Sequence, residues 1–327
     1  MREFVKPTIV VSRCIEFSAC RYNGDKLSDQ TVCSLRPYVE FIPVCPEIEI
    51  GLGTPRDVIR LIADGEETTR LIQPKTNRDL TDLMTEFSTE FIEEVSEKQI
   101  DGFILKNRSP SCAITDAKVY HSADKSAHTL RTGSGLFTQR VLKAHPDVAV
   151  EDEGRLKNFR IREHFLTKLF TLASFRKQKQ TMSMDELNQF HKENKYLFMA
   201  YQPQILKKLG QIVGNQQKKP LELVIEEYER ELIIMFKKAP KYTANINVFE
   251  HIFGYFSSHL TTNEKQYFLS VLNKYREKKL PISGVVSILK AWAHRFDNQY
   301  LLSQTFFEPY PESLIDISDS GKGRDYR

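Results

Sequence analysis

The pattern of apolar residues changes character near residue 150, and this change constrains the fold more than any other feature of the chain. Before it, short β-branched runs alternate with helical spacing. After it, helical spacing dominates. KPTIVVSRC, VEFIPVCPEIE, TRLIQPK and DGFILKNRSPSC read as buried strands. Residues 77–97 carry Leu80, Leu83, Met84, Phe87, Phe91, Ile92 and Val95 at the three-and-four spacing of an amphipathic helix. DVIRLI at 57–62 reads as the beginning of a short helix. In GLGTPR, Thr54 and Pro55 read as its N-cap and first residue. Strands alternating with helices predict an α/β domain over residues 1–150, with a mostly parallel, Rossmann-like sheet. Segments such as RLKNFRIREHFLTKLFTLASF and LELVIEEYERELIIMFKK predict an all-α domain over 151–327, broken at Pro203, Pro220, Pro240 and Pro281. AHPDVAVEDEGRL reads as the linker.

At 327 residues the chain is longer than one typical domain requires. Hydrophobic residues make up 40% and charged residues 28%, the balance of an ordinary globular protein. No apolar run approaches the roughly 20 residues that span a bilayer. The N-terminal apolar run reads as a first strand and not as a signal peptide. A cytoplasmic protein without a membrane partner is the expectation, and no segment singles out an obligate protein partner.

Charge and cysteine are both distributed unevenly. Residues 151–327 hold 28 basic and 21 acidic side chains, and the remainder holds 19 and 22. A basic helical half suits a polyanion. Its clusters include Arg176, Lys177 and Lys179, then Lys207 and Lys208. Tyr196, Phe198, Tyr201, Tyr242, Tyr255 and Trp292 lie between such clusters. Interleaved cations and rings fit RNA, where bases stack and phosphates meet cations. Solvated faces and core aromatics explain the same pattern equally well.

All five cysteines (Cys14, Cys20, Cys33, Cys45 and Cys112) fall in the first 112 residues. In a reducing compartment they point to metal or catalysis before disulfides. Cys14, Cys45 and Cys112 each follow a β-rich run, and Cys20 and Cys33 do not. Carboxyl ends of parallel strands gather ligands, so these three can converge. Zinc sites favour close pairs of cysteines, which are absent here, whereas isolated loop cysteines suit a [4Fe–4S] cluster with one open iron. Buried strand-end thiols are the alternative. Glu47, fixed beside Cys45 by Pro46, is either an enclosed proton carrier or a solvent-facing acid. The hydroxyls of SPSC at 109–112 could serve a cluster sulfur or a substrate. Serine hydrolase chemistry lacks its motif.

These residues also form a recognisable pattern. SRC-x₅-CRYNGD, PVCPEIEIGLGTPR and LKNRSPSC resemble the three signature blocks of the 2-thiouracil desulfidase family over roughly residues 5–150. HIFGYFSSHLTTNEKQYFLSVLNKYREKKLPISGVVSILKAWAHRF and YLLSQTFFEPYP resemble the helical domain often fused to it, a combination similar to the bacterial tRNA 4-thiouridine desulfidases. The resemblance implies Cys14, Cys45 and Cys112 as ligands of a [4Fe–4S] cluster, Glu47 as the proton-handling carboxylate and Ser109 as its helper. It implies Arg21, Tyr22, Arg56 and Ser111 as substrate-binding positions. The implied partner is tRNA, gripped through residues such as Arg176, Lys177, Lys179, Lys207 and Lys208, and the implied reaction is 4-thiouridine plus water giving uridine plus hydrogen sulfide. The alternatives are a desulfidase of free 2-thiouracil or thionucleosides, and a non-enzymatic iron–sulfur protein that binds RNA or senses redox state. The chain departs from the family pattern at Ile15, Phe17, Ile50 and Ala113. These changes leave the cysteines and the acid intact but bear on the shape of the pocket.

Overall fold

The computed structural model describes residues 2–65, 68–124 and 126–316. The chain divides into two compact units. The first reaches Ala173 and takes in the returning segment 313–316; the second runs from Ser174 to Glu312.

The first unit contains β1 (Thr8–Ser12), α1 (Gln30–Leu35), β2 (Glu40–Val44), α2 (Pro46–Glu49), β3 (Arg60–Ala63), β4 (Thr69–Gln73), β5 (Arg78–Asp79), α3 (Thr81–Ser96), β6 (Gly102–Leu105), β7 (Ala117–Tyr120), β8 (Thr129–Gly133), α4 (Leu136–Ala144) and β9 (Ala149–Asp152). β2, β1, β6 and β9 form a four-stranded sheet in that order, parallel throughout. The buried β-branched run Ile9–Val11 explains why β1 lies inside this sheet, since parallel strands covered on both faces read as continuous apolar stretches. The fold is thus an α/β unit with a parallel sheet, followed by a helical unit.

Three local expectations are corrected. DVIRLI does not start a helix: Leu61 and Ile62 pair with β4 and β7, inside a second, mixed sheet of order β5-β4-β3-β7-β8. Four apolar residues in so short a run (Val58, Ile59, Leu61 and Ile62) can serve either period, and the pairing partners decided the outcome. Thr54 and Pro55 lie in a turn and cap nothing. The helix with proline at its first position starts earlier, with Cys45 at the N-cap of α2. The compact boundary falls inside α5 (Phe159–Lys179), later than residue 150, because β9 completes the parallel sheet and the start of α5 packs on the same unit. Phe170 meets Phe4 edge-on, and Lys168 donates to the carbonyl of Val148.

The second unit consists of the end of α5 with α6 (Met184–Tyr201), α7 (Pro203–Gly214), α8 (Leu221–Met235), α9 (Ala244–Gly254), α10 (Thr262–Arg276), α11 (Ile282–Arg295) and α12 (Gln299–Leu302). Its core is aromatic, with Phe198, Tyr228, Phe236, Phe249, Phe268 and Tyr275 fully buried. Reciprocal capping boxes start α6 at Ser183 with Glu186, and α10 at Thr261 with Glu264. No helix among the described residues is long and apolar enough to cross a membrane.

Candidate cysteine and carboxylate site

The parallel sheet delivers the chemistry to its carboxyl edge. β1 ends two residues before Cys14, β2 ends one residue before Cys45, and β6 feeds the loop that carries Cys112. All three line one cavity of about 620 Å³, and so does Cys20. The four are nearly buried, at 9%, 4%, 7% and 5% exposure for Cys14, Cys20, Cys45 and Cys112. Cys33 is exposed and lies elsewhere. Cys20 was missed in sequence because it follows no strand. The loop after β1 folds back, with Leu27 N–H donating to the Cys14 carbonyl, and this return carries Cys20 inward.

Contact among the thiols shifts them. The hydrogen bond between Cys20 and Cys45, followed by burial, pushes Cys45 far above the ordinary thiol range. Cys20 is raised by its contact with Cys14. Burial, then the neighbouring charge of Glu47, pushes Cys112 up. A metal or cluster must displace these protons, so loading it releases them.

Glu47 lies on the cavity wall, 9% exposed, on the first turn of α2. Arg56 donates from Nε to Oε2 at 2.7 Å and from Nη2 to the same oxygen. Ser111 donates to Oε1 at 3.0 Å, and Ser109 reaches the same atom at 3.3 Å. The carboxylate is thus held by donors on both oxygens, with its orientation fixed from two chain segments. Ser109 also accepts from the backbone N–H groups of Ser111 and Cys112, which folds the SPSC loop into a tight turn.

The substrate positions expected from sequence divide into two groups. Arg21 and the exposed Tyr22 line the cavity. Arg56 also lines it, but its guanidinium is committed to Glu47 and to the carbonyls of Cys20 and Gly53. Ser111 is fully buried behind the wall and touches Glu47. Both position the acid. Nothing local in the sequence marked this pairing, because Arg56 reaches Glu47 only through the turn at Gly53–Pro55.

The departures at Phe17 and Ile50 lie off the cavity. Phe17 packs edge-on against Phe41 beneath Arg36, and Ile50 packs on the core of the first unit. Gly51, at φ 84°, makes the turn that follows α2.

In the helical unit the basic clusters are partly neutralised. Lys179 pairs with Glu229 at 2.6 Å and Lys208 with Glu231 at 3.5 Å, both acids of α8. Lys177 and Lys207 are exposed, and Arg176 is half-buried. Tyr196, Phe198, Tyr201 and Trp292 are core residues, and Tyr242 stacks on Tyr275. Of the six rings singled out, Tyr255 alone is exposed.

Among the described residues, no three histidine, cysteine or acidic side chains converge tightly enough to hold a single metal ion. The donor set is nevertheless made of thiols spread around a cavity. Thiols are the donors of an iron–sulfur cluster, whose several irons take their ligands from different directions. In donor chemistry the residues fit such a group.

Parts of the chain resemble known proteins. The uncharacterized protein YbgA of Escherichia coli K12 is 23% identical over 48% of this chain and 93% of its own length. The uncharacterized protein YbbK of Bacillus subtilis 168 is 29% identical over 44% of this chain and 96% of its own. The [4Fe-4S]-dependent thiouracil desulfidase TudS is 24% identical in a match covering 46% of this chain and 93% of that chain, at a TM-score of 0.36. Residues 195–311 match a family described as a protein of unknown function, DUF1722, and residues 9–153, which contain the whole cysteine and carboxylate site, match the 2-thiouracil desulfurase family.

Proposed function

We propose that the first unit hydrolyses the C–S bond of a thiolated uracil base, giving the uracil base and hydrogen sulfide, with Cys14, Cys45 and Cys112 holding a [4Fe–4S] cluster. The observation that carries this reading is the carboxylate of Glu47, fixed by Arg56, Ser109 and Ser111 on the wall of a cavity lined by four buried thiols. The family match over residues 9–153 supports it.

The cluster would supply a soft Lewis-acid site for the thiocarbonyl sulfur. The protein's own residues do the rest. Glu47 accepts a proton from the water that attacks the ring carbon, and Arg56 holds Oε2 so that Oε1 faces the hydroxyls of Ser109 and Ser111. Those hydroxyls then relay a proton as sulfur leaves. One water is consumed and one hydrogen sulfide released, with no net electron transfer.

The finer reading is that the base is 4-thiouridine within tRNA. The cavity wall supports it: seven basic side chains and two carboxylates line the wall, and Arg21, Arg108 and Lys118 make no ion pair among the described residues. An uncharged free base has no use for such a rim, whereas a nucleotide brings phosphates to it. The test is anaerobic incubation of cluster-loaded protein with 4-thiouridine-bearing tRNA, followed by nucleoside profiling. Loss of 4-thiouridine with stoichiometric sulfide is expected, and rapid at low salt. Turnover of free 2-thiouracil with tRNA left intact would overturn the tRNA reading, and turnover of neither would overturn the enzyme reading.

A further inference from the structure

The parallel sheet brings the cysteines to the cavity, but the mixed sheet lines it too. β3 and β7 alternate as strands with one covered face: Leu61, Ala117 and Val119 belong to the core, while Arg60, Lys118 and Tyr120 line the cavity. Thr132 of β8 lines it as well. Register sets three of these residues in one row. Leu61 pairs with Val119, so one step back places Arg60 beside Lys118, and Lys118 pairs with Thr132. Two cations and a hydroxyl thus stand side by side across three strands.

Neither carboxylate of the cavity neutralises this row. Glu47 is committed to Arg56, and Asp116 accepts the backbone N–H of Arg108. Arg13, Arg56 and Lys106 each pair with an acid, whereas Arg60 and Lys118 make no ion pair among the described residues. Arg60 is also held in place. Its guanidinium lies 4.6 Å from the centre of the Tyr120 ring, and Nη1 donates to the carbonyl of Asp124 at 2.9 Å. A guanidinium carries five N–H donors, so most of its fork stays available. Like charges on neighbouring strands repel, and an anion lying over both turns that repulsion into attraction. A planar arginine fork beside an ammonium matches the oxygens of a phosphate. The cavity, at about 620 Å³, has room for a nucleotide and not merely for a pyrimidine ring.

Building on the thiolated-uracil reading above, we propose that Arg60, Lys118 and Thr132 form a phosphate seat on the cavity face of the mixed sheet. The seat takes a phosphate ester of the nucleotide whose base is presented to Glu47. The two sheets then divide the work: the parallel sheet presents the cysteines and the acid, and the mixed sheet grips the phosphate. Strands hold the two cations at a fixed spacing, which loops such as those of Arg21 and Arg108 do not. The ester is either the monophosphate of a free nucleotide or a phosphodiester of tRNA, since both offer the same anionic oxygens.

The test measures equilibrium binding of 4-thiouridine 5′-monophosphate, the nucleoside 4-thiouridine and 4-thiouridine-bearing tRNA to the full-length protein under anaerobic conditions, with sulfide release read alongside. Lys118→Gln and Arg60→Gln are each expected to cut the preference for monophosphate over nucleoside about tenfold, and Arg60→Lys to keep part of it. Loss on the monophosphate alone makes the seat a reader of free nucleotides. A fall in tRNA affinity with a shallower salt dependence makes it a reader of a phosphodiester, and either result supports the seat. Unchanged monophosphate preference together with unchanged tRNA affinity in both glutamine variants would overturn the proposal. An equal loss for nucleoside and monophosphate would place the two cations at the base and overturn it as well. Lys118 is exposed, so K118Q carries the comparison should R60Q, which gives up the contact with Tyr120, fail to fold. Phosphate-dependent binding with no sulfide released from any of the three substrates would overturn the desulfidase reading and leave the seat standing.

Discussion

At Glu47, four side-chain donors converge on two oxygens: the two guanidinium N–H groups of Arg56 on Oε2, and the hydroxyls of Ser109 and Ser111 on Oε1. Glu47→Gln keeps the size of the side chain but removes the proton acceptor. Turnover is expected to fall about 10²- to 10⁴-fold, the usual contribution of a positioned acid or base, with iron content unchanged. Single-turnover sulfide release measures it, and a wild-type rate would remove Glu47 from the chemistry. The two serines should separate. Ser111 is fully buried and its hydroxyl bonds Glu47, so Ser111→Ala is expected to cost about tenfold in rate with little loss of stability. Ser109 also accepts two backbone N–H groups of the cysteine loop, so Ser109→Ala should additionally lower stability by about 1–2 kcal/mol, read as Tm.

At the scale of elements, the site depends on how closely α4 approaches the SPSC loop. Gly135 is the N-cap of α4, and a Cβ there would lie 2.4 Å from the carbonyl carbon and oxygen of Ser111 and 2.7 Å from the N of Cys112. Backbone cannot yield as a side chain can, so Gly135→Ala must push α4 and the cysteine loop apart. The expected result is a loss of about 1–3 kcal/mol in stability and a drop in iron retained per chain. Normal iron and Tm in G135A would show the loop to be free to move. Strands ending in cysteine were legible as elements because their apolar runs are continuous and their turns carry Gly and Pro. β3 was not: its four residues fit a helix as well as a strand, and only pairing with β4 and β7 made it a strand.

At the scale of the whole molecule, the helical unit carries a half-buried, pH-sensitive histidine. His191 on α6 meets the hydroxyl of Tyr228 on α8 at 3.1 Å, and burial, with Lys195 nearby, holds its pKa down to about 4. The unfolded chain takes up this proton near pH 6.5, whereas the folded unit does so only near pH 4. Stability is therefore complete above pH 6.5 and lost as pH falls towards 4, by about 3 kcal/mol for this group. Urea unfolding of the full chain at pH 7 and pH 4.5 measures the loss. In His191→Gln the transition from the helical unit should lose most of that pH dependence, and an unchanged slope would count against it. The first unit carries a parallel case in His164, held to about 4 by burial and by Lys168, so the His191 variant is needed to assign the effect.

The sequence alone determined the two-part architecture, since period-2 and period-3.6 patterning is a local property that survives any tertiary arrangement. It also brought out Cys14, Cys45, Cys112 and Glu47, because strand ends and the C-P-E step are local signals. It could not determine which other side chains join them. Cys20 enters the site because the loop after β1 folds back, Arg56 reaches Glu47 across a turn, and Gly135 meets Ser111 from a helix N-cap 24 positions later. The aromatic residues of the helical half, read equally as stacking surface or core, proved to be core except for Tyr255 and the half-buried Tyr242. Such contacts arise from packing between segments distant in the chain, where burial and hydrogen-bond partners are fixed only once the whole unit has closed.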